Sequence, residues 1–298
     1  MDSRPCPPVH GSVQRPAHGL LPSSREVEAG GLGGPARLVQ FCWRMDTLGL
    51  IHTGTALAMI SLVLLELRDP QFRADSFAAG PRRRRNWAFF VTSFIPTMLV
   101  QSAGAWFHTH LPTLMRPGTL PPVLDFVACM LVAELVSWTS HWIKHQHPFL
   151  WRFHFQHHRE EHFSVWMVTH THALEVVLSG SALVALLAAL GFSPVSVQLY
   201  FAVYSVGLTY HHSALGYSLG WLDWLIISPA YHRHHHRRVG KGNYGGTLTV
   251  WDVVFGTAHW PEPETATAPV GLPPQAREPF GYRKEMLYFL SGWRRQRS

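Results

Sequence analysis

The chain is poor in charge and poor in cysteine. Charged side chains make up 14% of its 298 residues and apolar ones 47%, a balance that leans toward a membrane. Its three cysteines, Cys6, Cys42 and Cys129, show no CxxC spacing. That excludes a zinc-thiolate cluster and a disulfide framework, so any bound metal must be held by nitrogen and oxygen. No nucleic-acid fold motif accompanies the basic blocks Arg82–Arg85 and Trp293–Arg297. Beside long apolar runs such blocks read as the cytoplasmic face of a bilayer, and no nucleic-acid partner is expected. The sequence also lacks a His-Pro-Gly-Gly cytochrome b5 motif and any glycine-rich dinucleotide fingerprint. Residues 1–36 have little hydrophobic periodicity and are rich in Pro, Gly, Ser and Arg, which predicts a disordered segment. They show no apolar core followed by a small-residue cleavage site, so a signal peptide is not expected.

Apolar runs are present in number. Leu48–Leu67, Trp87–Trp106, Val123–Ser140, Leu174–Phe192 and Pro194–Tyr210 each approach the length of a membrane span. A bilayer core about 30 Å thick needs about twenty helical residues at about 1.5 Å each, and the last run is marginal. The expected fold is therefore all-α: an integral-membrane, multi-pass helical bundle of about four to five spans. Charge gives the orientation. The stretch 68–86 carries Arg68, Arg73 and Arg82–Arg85 against Asp69 and Asp75, which places it in the cytoplasm. His108–Pro122 then reads as an outer loop, and the chain returns to the cytoplasmic side after Ser140. Leu219–Ile227 is too short to cross.

That side receives the histidines. Of 21 in the chain, eight fall in three clusters: His141 and His145; His154, His157 and His158; His232, His235 and His236. Imidazole is a favoured ligand for iron, copper and zinc. Residues three and four apart share one helical face, so each cluster can aim at one metal region, and each adjacent pair can send one ring to each of two metals. Eight ligands are too many for one ion and suit two. The pair His211–His212 adds further candidates on the same side. His10, His18, His52 and His259 stand alone, His108 and His110 fall in the outer loop, His147 and His162 lie outside the spacing, and His234 lies within the third cluster but in a different helical direction from its neighbours. A membrane transporter or sensor binding zinc or copper is the other function such clusters allow. Transporter sites usually sit near the bilayer midplane, whereas these clusters flank the spans.

The order of the three clusters resembles the fatty acid hydroxylase / sterol desaturase superfamily of membrane di-iron oxygenases. Their flanks are similar too: Ser228-Pro229 before the third box, Asn243-Tyr244-Gly245, Trp251-Asp252-x-x-Phe255-Gly256-Thr257, and His172-Ala173-Leu174-Glu175. The resemblance covers roughly 120–260. Trp142, Ala173 and His170 depart from that pattern, and the departures bear on substrate more than on metal chemistry.

The resemblance implies two iron ions held by His141, His145, His154, His157, His158, His232, His235 and His236, with one more histidine between the second and third boxes. His212, which closes the last span, is the choice, and His211 and His172 are alternatives. Glu134 lies two helical turns before His141 and is expected to orient a ligand imidazole; Asn243 is expected to hydrogen-bond near the centre and Asp252 to cap the closing segment. Zinc has no redox chemistry, and no catalytic carboxylate pair or nucleophile motif accompanies the clusters. The activity implied is O2-dependent hydroxylation or desaturation of a lipophilic substrate such as a fatty acyl chain, a sterol or a lipid-like natural product. Electrons would come from a separate ferredoxin or cytochrome b5, with Arg82–Arg85 and the basic tail helping to dock an acidic donor or to hold membrane lipids. The expected layout is a disordered segment over 1–36, membrane helices over 37–121, a catalytic domain over 122–260 with a cytoplasmic helical cap carrying the clusters, and a basic tail over 261–298.

Overall fold

Proline and serine punctuate the chain, and the helices follow them. The computed structural model describes residues 35–238, 240–262, 268–273 and 281–290, with the side chains of 35–46 left out. Its helices are α1 (Pro35–Glu66), α2 (Pro70–Phe77), α3 (Pro81–His110), α4 (Pro122–Gln146), α5 (Pro148–His158), α6 (Ala173–Leu190), α7 (Pro194–His211), α8 (Pro229–His235), α9 (Val250–Val254) and α10 (Tyr282–Met286). Most of them open on proline, whose fixed φ suits the first helical turn and whose missing N–H is not needed there. Ser193 and Ser228 cap α7 and α8 by accepting from the backbone N–H of Ser196 and Tyr231. Pro148 breaks what would otherwise be one helix after Gln146, so α4 and α5 meet at a sharp corner. No strand occurs among the described residues; two isolated bridges pair Ile226 with Leu248 and Arg237 with Val270. The expected segment 1–36 and the Trp293–Arg297 tail lie outside the described residues, apart from the first two residues of α1.

Two compact units divide the chain, Met1–Ile51 and His52–Ser298. The first contributes to the described residues only the beginning of α1. Within the second, Gly104 of α3 faces Val184 of α6, and Gly180 of α6 faces Val100 of α3. A Cβ at either glycine would press on the opposing valine, so the small residues set a close approach of two parallel helices. α4 and α7 run the other way and share with α6 a core of Cys129, Met130, Ala133, Leu183, Leu187, Val197 and Tyr200.

Among the described residues four helices are long and apolar enough to cross a membrane: Thr47–Glu66, Pro81–His110, Pro122–Gln146 and Ala173–Leu190. α7 is not among them, because Ser196, Gln198, Ser205, Thr209 and three tyrosines interrupt its apolar residues. Large apolar side chains lie exposed on these helices, among them Leu57, Ile95, Leu124 and Leu178, as expected of faces that meet lipid rather than water.

Two expectations need correction. α3 continues through His108 and His110, whose rings accept no role in a loop but bond back to the carbonyls of Gly104 and Trp106. The linker at that end is therefore 111–121. The arginine block is not a loop either: it forms the first turn of α3, and Arg85 is buried.

At the end of the bundle holding this linker, Gly191 terminates α6 with φ +92°, and a Cβ there would collide with the Met115 carbonyl oxygen. Gly191→Ala should destabilise the protein by about 1–3 kcal/mol, seen as a lowered thermal midpoint in detergent. Gly118→Ala, also at positive φ but with open space around it, should cost less.

Candidate metal centre

The opposite end of the bundle gathers the histidines. The last two turns of α4 supply His141 and His145. After the Pro148 corner, the last two turns of α5 supply His154, His157 and His158. α7 ends at His211, and His212 caps it. The short helix α8 supplies His232 and His235, with His236 as its cap.

Nine of these side chains form two sets. His141, His145, His154, His158 and His235 make one; His157, His212, His232 and His236 make the other. In each set one nitrogen per ring lies within 4.8 Å of all the others. The adjacent pairs His157–His158 and His235–His236 divide between the sets, because neighbouring residues on a helix point in different directions. Seven of the nine are buried, and His141 and His145 are partly so.

Each imidazole carries one proton when neutral, and the fold settles where most of those protons point. The Nδ1–H groups of His141, His157, His212 and His235 donate to the carbonyl oxygens of Tyr244, Met167, Leu208 and Gly242 at 2.8–3.0 Å. That of His154 donates to the Glu175 carboxylate at 3.0 Å. Carbonyls and carboxylates only accept, so these rings turn bare Nε2 lone pairs inward. His157 and His212 then face each other Nε2 to Nε2 at 3.2 Å with both protons already spent. Two lone pairs at that distance repel, and a cation between them removes the repulsion. The buried Nε2 atoms of His141 and His145 meet no donor either. Burial, reinforced by neighbouring imidazoles, holds His157, His158, His212, His232 and His236 far below the ordinary range, and His235 is pushed down to about 3. The rings are neutral, the state a metal requires of them.

Glu175, which the sequence reading placed in a motif without a role, is a positioning carboxylate. It sits in the first turn of α6, holds His154 and pairs with Lys144 at 2.7 Å. An ionisable residue at the head of an apolar run was the available signal. The expectation that Glu134 orients an imidazole is corrected: its Oε2 accepts from the backbone N–H groups of Thr247 and Leu248 at 2.8 and 3.0 Å. Glu134 shares a face with His141 but lies about 10 Å back along α4, level with that loop rather than with the rings.

Asn243 acts indirectly. In a left-handed conformation (φ 54°), it donates to the carbonyls of Tyr231 and His259, gripping α8 one residue before His232. Asp252 is a hub: it accepts from Trp138 Nε1, Tyr231 Oη, Thr257 Oγ1 and the amides of Tyr244 and Gly245. This fixes the carbonyl of Tyr244 that in turn orients His141.

The remaining histidines have other duties. His172 caps α6 by accepting from Leu174 N, and its Nε2–H donates to Met286 O, so its ring is used up away from the centre. His211 is buried with its centroid 4.2 Å from that of His232 but belongs to neither set. His162 bonds Asp75, and His234 stacks on His259.

Behind α5 the arginines are spent internally. Arg85 pairs with Glu160 and Glu285, and Arg159 bonds Glu285 at 2.8 Å, all of them buried. Arg82 pairs with Asp75 and Glu160. Half of the block is therefore not the open basic docking surface expected of it: Arg82 and Arg85 anchor the residues just after His158, while Arg83 bonds the Phe77 carbonyl and Arg84 is exposed.

Comparison with known proteins agrees with this site. A sequence profile of the fatty acid hydroxylase family matches residues 126–257, the stretch from α4 to the close of the Asp252 hub. Residues 126–257 are a fatty acid hydroxylase domain. This domain holds all nine imidazoles and Glu175. The chain is 29% identical over 171 residues to an ornithine lipid hydroxylase of Rhizobium tropici, covering 56% of this chain and 50% of the relative. It is 29% identical over 222 residues to an alkylglycerol monooxygenase of Homo sapiens (66% and 45%) and 29% identical over 150 residues to a cholesterol 25-hydroxylase-like protein of Danio rerio (48% and 59%). The chain spans about half the length of the curated relatives it matches. No solved structure matches it.

Two outcomes follow for the fatty acid hydroxylase domain. Asp252→Ala strands five donors in a buried place and should cost about 3–5 kcal/mol, read as a fall in the thermal midpoint. Acid should also destabilise the chelator-stripped protein. Each buried ring stays neutral in the folded chain but protonates near pH 6.5 when unfolded. Below that pH the unfolded state binds more protons, so stability falls as pH drops from about 6.5 toward about 3. Thermal midpoints that stay level between about pH 7.5 and about pH 5 would contradict the neutral-ring assignment.

Proposed function

We propose that this protein is an integral-membrane lipid hydroxylase with a di-iron centre. His141, His145, His154, His158 and His235 hold one iron; His157, His212, His232 and His236 hold the other. The observation that carries this reading is the two adjacent sets of inward lone pairs, with the His157–His212 approach asking for a cation. An all-nitrogen set without thiolate suits iron, and the family match supports it. Bound iron would supply the reduction of O2 that C–H oxidation needs. The balance is one substrate C–H, one O2, two electrons and two protons giving one C–OH and one water.

The chain's own residues hold and shield that chemistry. The carbonyls of Tyr244, Met167, Leu208 and Gly242, with Glu175, keep the rings aimed inward and raise their basicity. Phe163 packs beside His212 and His236 and keeps one side of the second set apolar. The substrate we assign is a lipid, because the centre closes one end of a membrane bundle and the named relatives are hydroxylases or monooxygenases of lipids; this also favours hydroxylation over desaturation. Electrons come from a separate ferredoxin- or cytochrome b5-type donor. The positive-inside rule places the centre on the cytoplasmic face. The layout in this reading keeps membrane helices over 37–121 and the catalytic domain over 122–260.

The test is purification without oxygen, a count of metals per chain, and incubation with reductant, O2 and a lipid extract. Two irons and a product heavier by one oxygen are expected. Stoichiometric zinc with no O2 uptake would favour a transporter or sensor instead. His158→Ala and His235→Ala should each abolish activity, while His147→Ala, whose residue only links α4 to α5, should leave it intact. Glu175→Gln should weaken iron retention about 10–100-fold, measured by competition with a chelator.

A further inference from the structure

Two stretches on either side of α8 leave a large apolar surface unexplained by the metal centre. One is 217–227, the other 244–256. They are tied together by the Ile226–Leu248 bridge and by backbone bonds from Ile227 N to Thr247 O and from Thr249 N to Leu225 O, at 3.0 and 3.2 Å. On their outer side Trp221 is 78% exposed and Val254 61%, with Trp224, Leu225, Val253 and Phe255 also exposed.

Their depth can be read from two helices. On α4, Glu134 takes the amides of Thr247 and Leu248, and the Trp251 indole donates to Leu131 O at 3.1 Å. Glu134 and Leu131 lie seven and ten residues before His141, hence about 10 and 15 Å along the axis. On α7, Thr247 abuts Gly207 and Gly246 abuts Tyr204. These lie four and seven residues before His211, about 6 and 10 Å. Both helices put the loops well down the bundle from the metal centre. α4 has 25 residues, so it is about 37 Å long. A hydrocarbon core about 30 Å thick includes Leu131 and Glu134 wherever it sits along that helix.

We propose that 217–227 and 244–256 form a re-entrant element that dips into the lipid bilayer beside α4, with Trp221, Trp224, Val254 and Phe255 against acyl chains. The inference rests on α4 spanning the membrane. Charge supports it. The two stretches carry one charged residue each, Asp223 and Asp252, and both are buried. Asp223 is bonded by Ser218 and by Leu219 N, and Asp252 by its five donors. Non-helical backbone survives at membrane depth only where protein satisfies it. Glu134 does that for Thr247 and Leu248, and Asp252 for Tyr244 and Gly245, which gives these carboxylates a purpose apart from the metals. The exposed tryptophans suit the level where acyl chains meet headgroups. The element begins at Tyr244, whose ring lies 5.3–5.7 Å from those of His141, His145 and His235. It therefore forms a continuous wall from bilayer to metal centre.

The test uses the full chain carrying Cys6→Ser and Cys42→Ser in phosphatidylcholine vesicles, with Cys129 left in place because it is buried. A nitroxide is attached at Trp221→Cys or Val254→Cys, and its collisions with O2 and with a water-soluble nickel chelate are compared. Leu178→Cys on α6 is the lipid reference and Glu161→Cys the aqueous one. Labels at 221 and 254 should prefer O2 severalfold over nickel, as at 178, with the reverse at 161. Nickel access at 221 and 254 like that at 161, with 178 still lipid-like, overturns the re-entrant element and leaves the spans intact. Protection from both reagents means a second copy of the chain covers the face, which also overturns it. A water-like label at 178 instead sinks the spanning reading on which the proposal stands.

Discussion

Much of the histidine end of this bundle serves one constraint: a neutral imidazole has a single proton, and for five of the nine rings the fold takes that proton outward. A ring buried with its proton pointing inward offers no lone pair, and a ring that protonates twice repels its neighbours. The fold meets the constraint with backbone carbonyls from four separate places, Leu208, Met167, Gly242 and Tyr244, and with the Glu175 carboxylate. None of these acceptors lies on the same helix as the ring it holds, except Leu208, one turn before His212. The site is consequently only as well defined as the packing of α4, α5, α6, α7 and α8 on one another.

Carboxylates do the remaining work of joining irregular backbone to helices. Asp252 collects five donors, one of them the Tyr244 amide, and so sets the carbonyl that orients His141. Glu134 secures the next few residues of the same loop to α4. An acceptor-only group satisfying several N–H donors is worth most where water cannot substitute. Ordering of the metal site and anchoring of the loops beside it thus share one hydrogen-bond scheme, and a fault in the Asp252 hub should be felt at both.

Charge is used sparingly, and part of it is buried. The four-arginine block would serve orientation in the membrane by its net sign alone. Yet Arg85 is committed to Glu160 and Glu285, and Arg82 to Asp75 and Glu160. Glu285 lies outside the stretch matched by the family profile, and the segment around α10 clamps the end of α5 through Arg85 and Arg159.

Local features were legible in the amino-acid sequence. Spacings of three and four residues put histidines on common faces because helix geometry is local. Four of the five long apolar runs are helices long and apolar enough to cross, because that length is dictated by the bilayer. What only the tertiary structure decided were relations between elements. The sequence favours His212 over His211 only for its place at the end of a span, and the direction in which α7 ends is what brings its ring, not that of His211, into the second set. Glu134 looked like a ligand's partner from its place on α4, but a loop more than a hundred residues later arrives at its level and takes it. Glu175 looked like part of a motif, and becomes the partner of His154 only because α6 begins beside α5. Spacing along one helix is determined by bonds within it; which proton meets which acceptor depends on how separate helices pack.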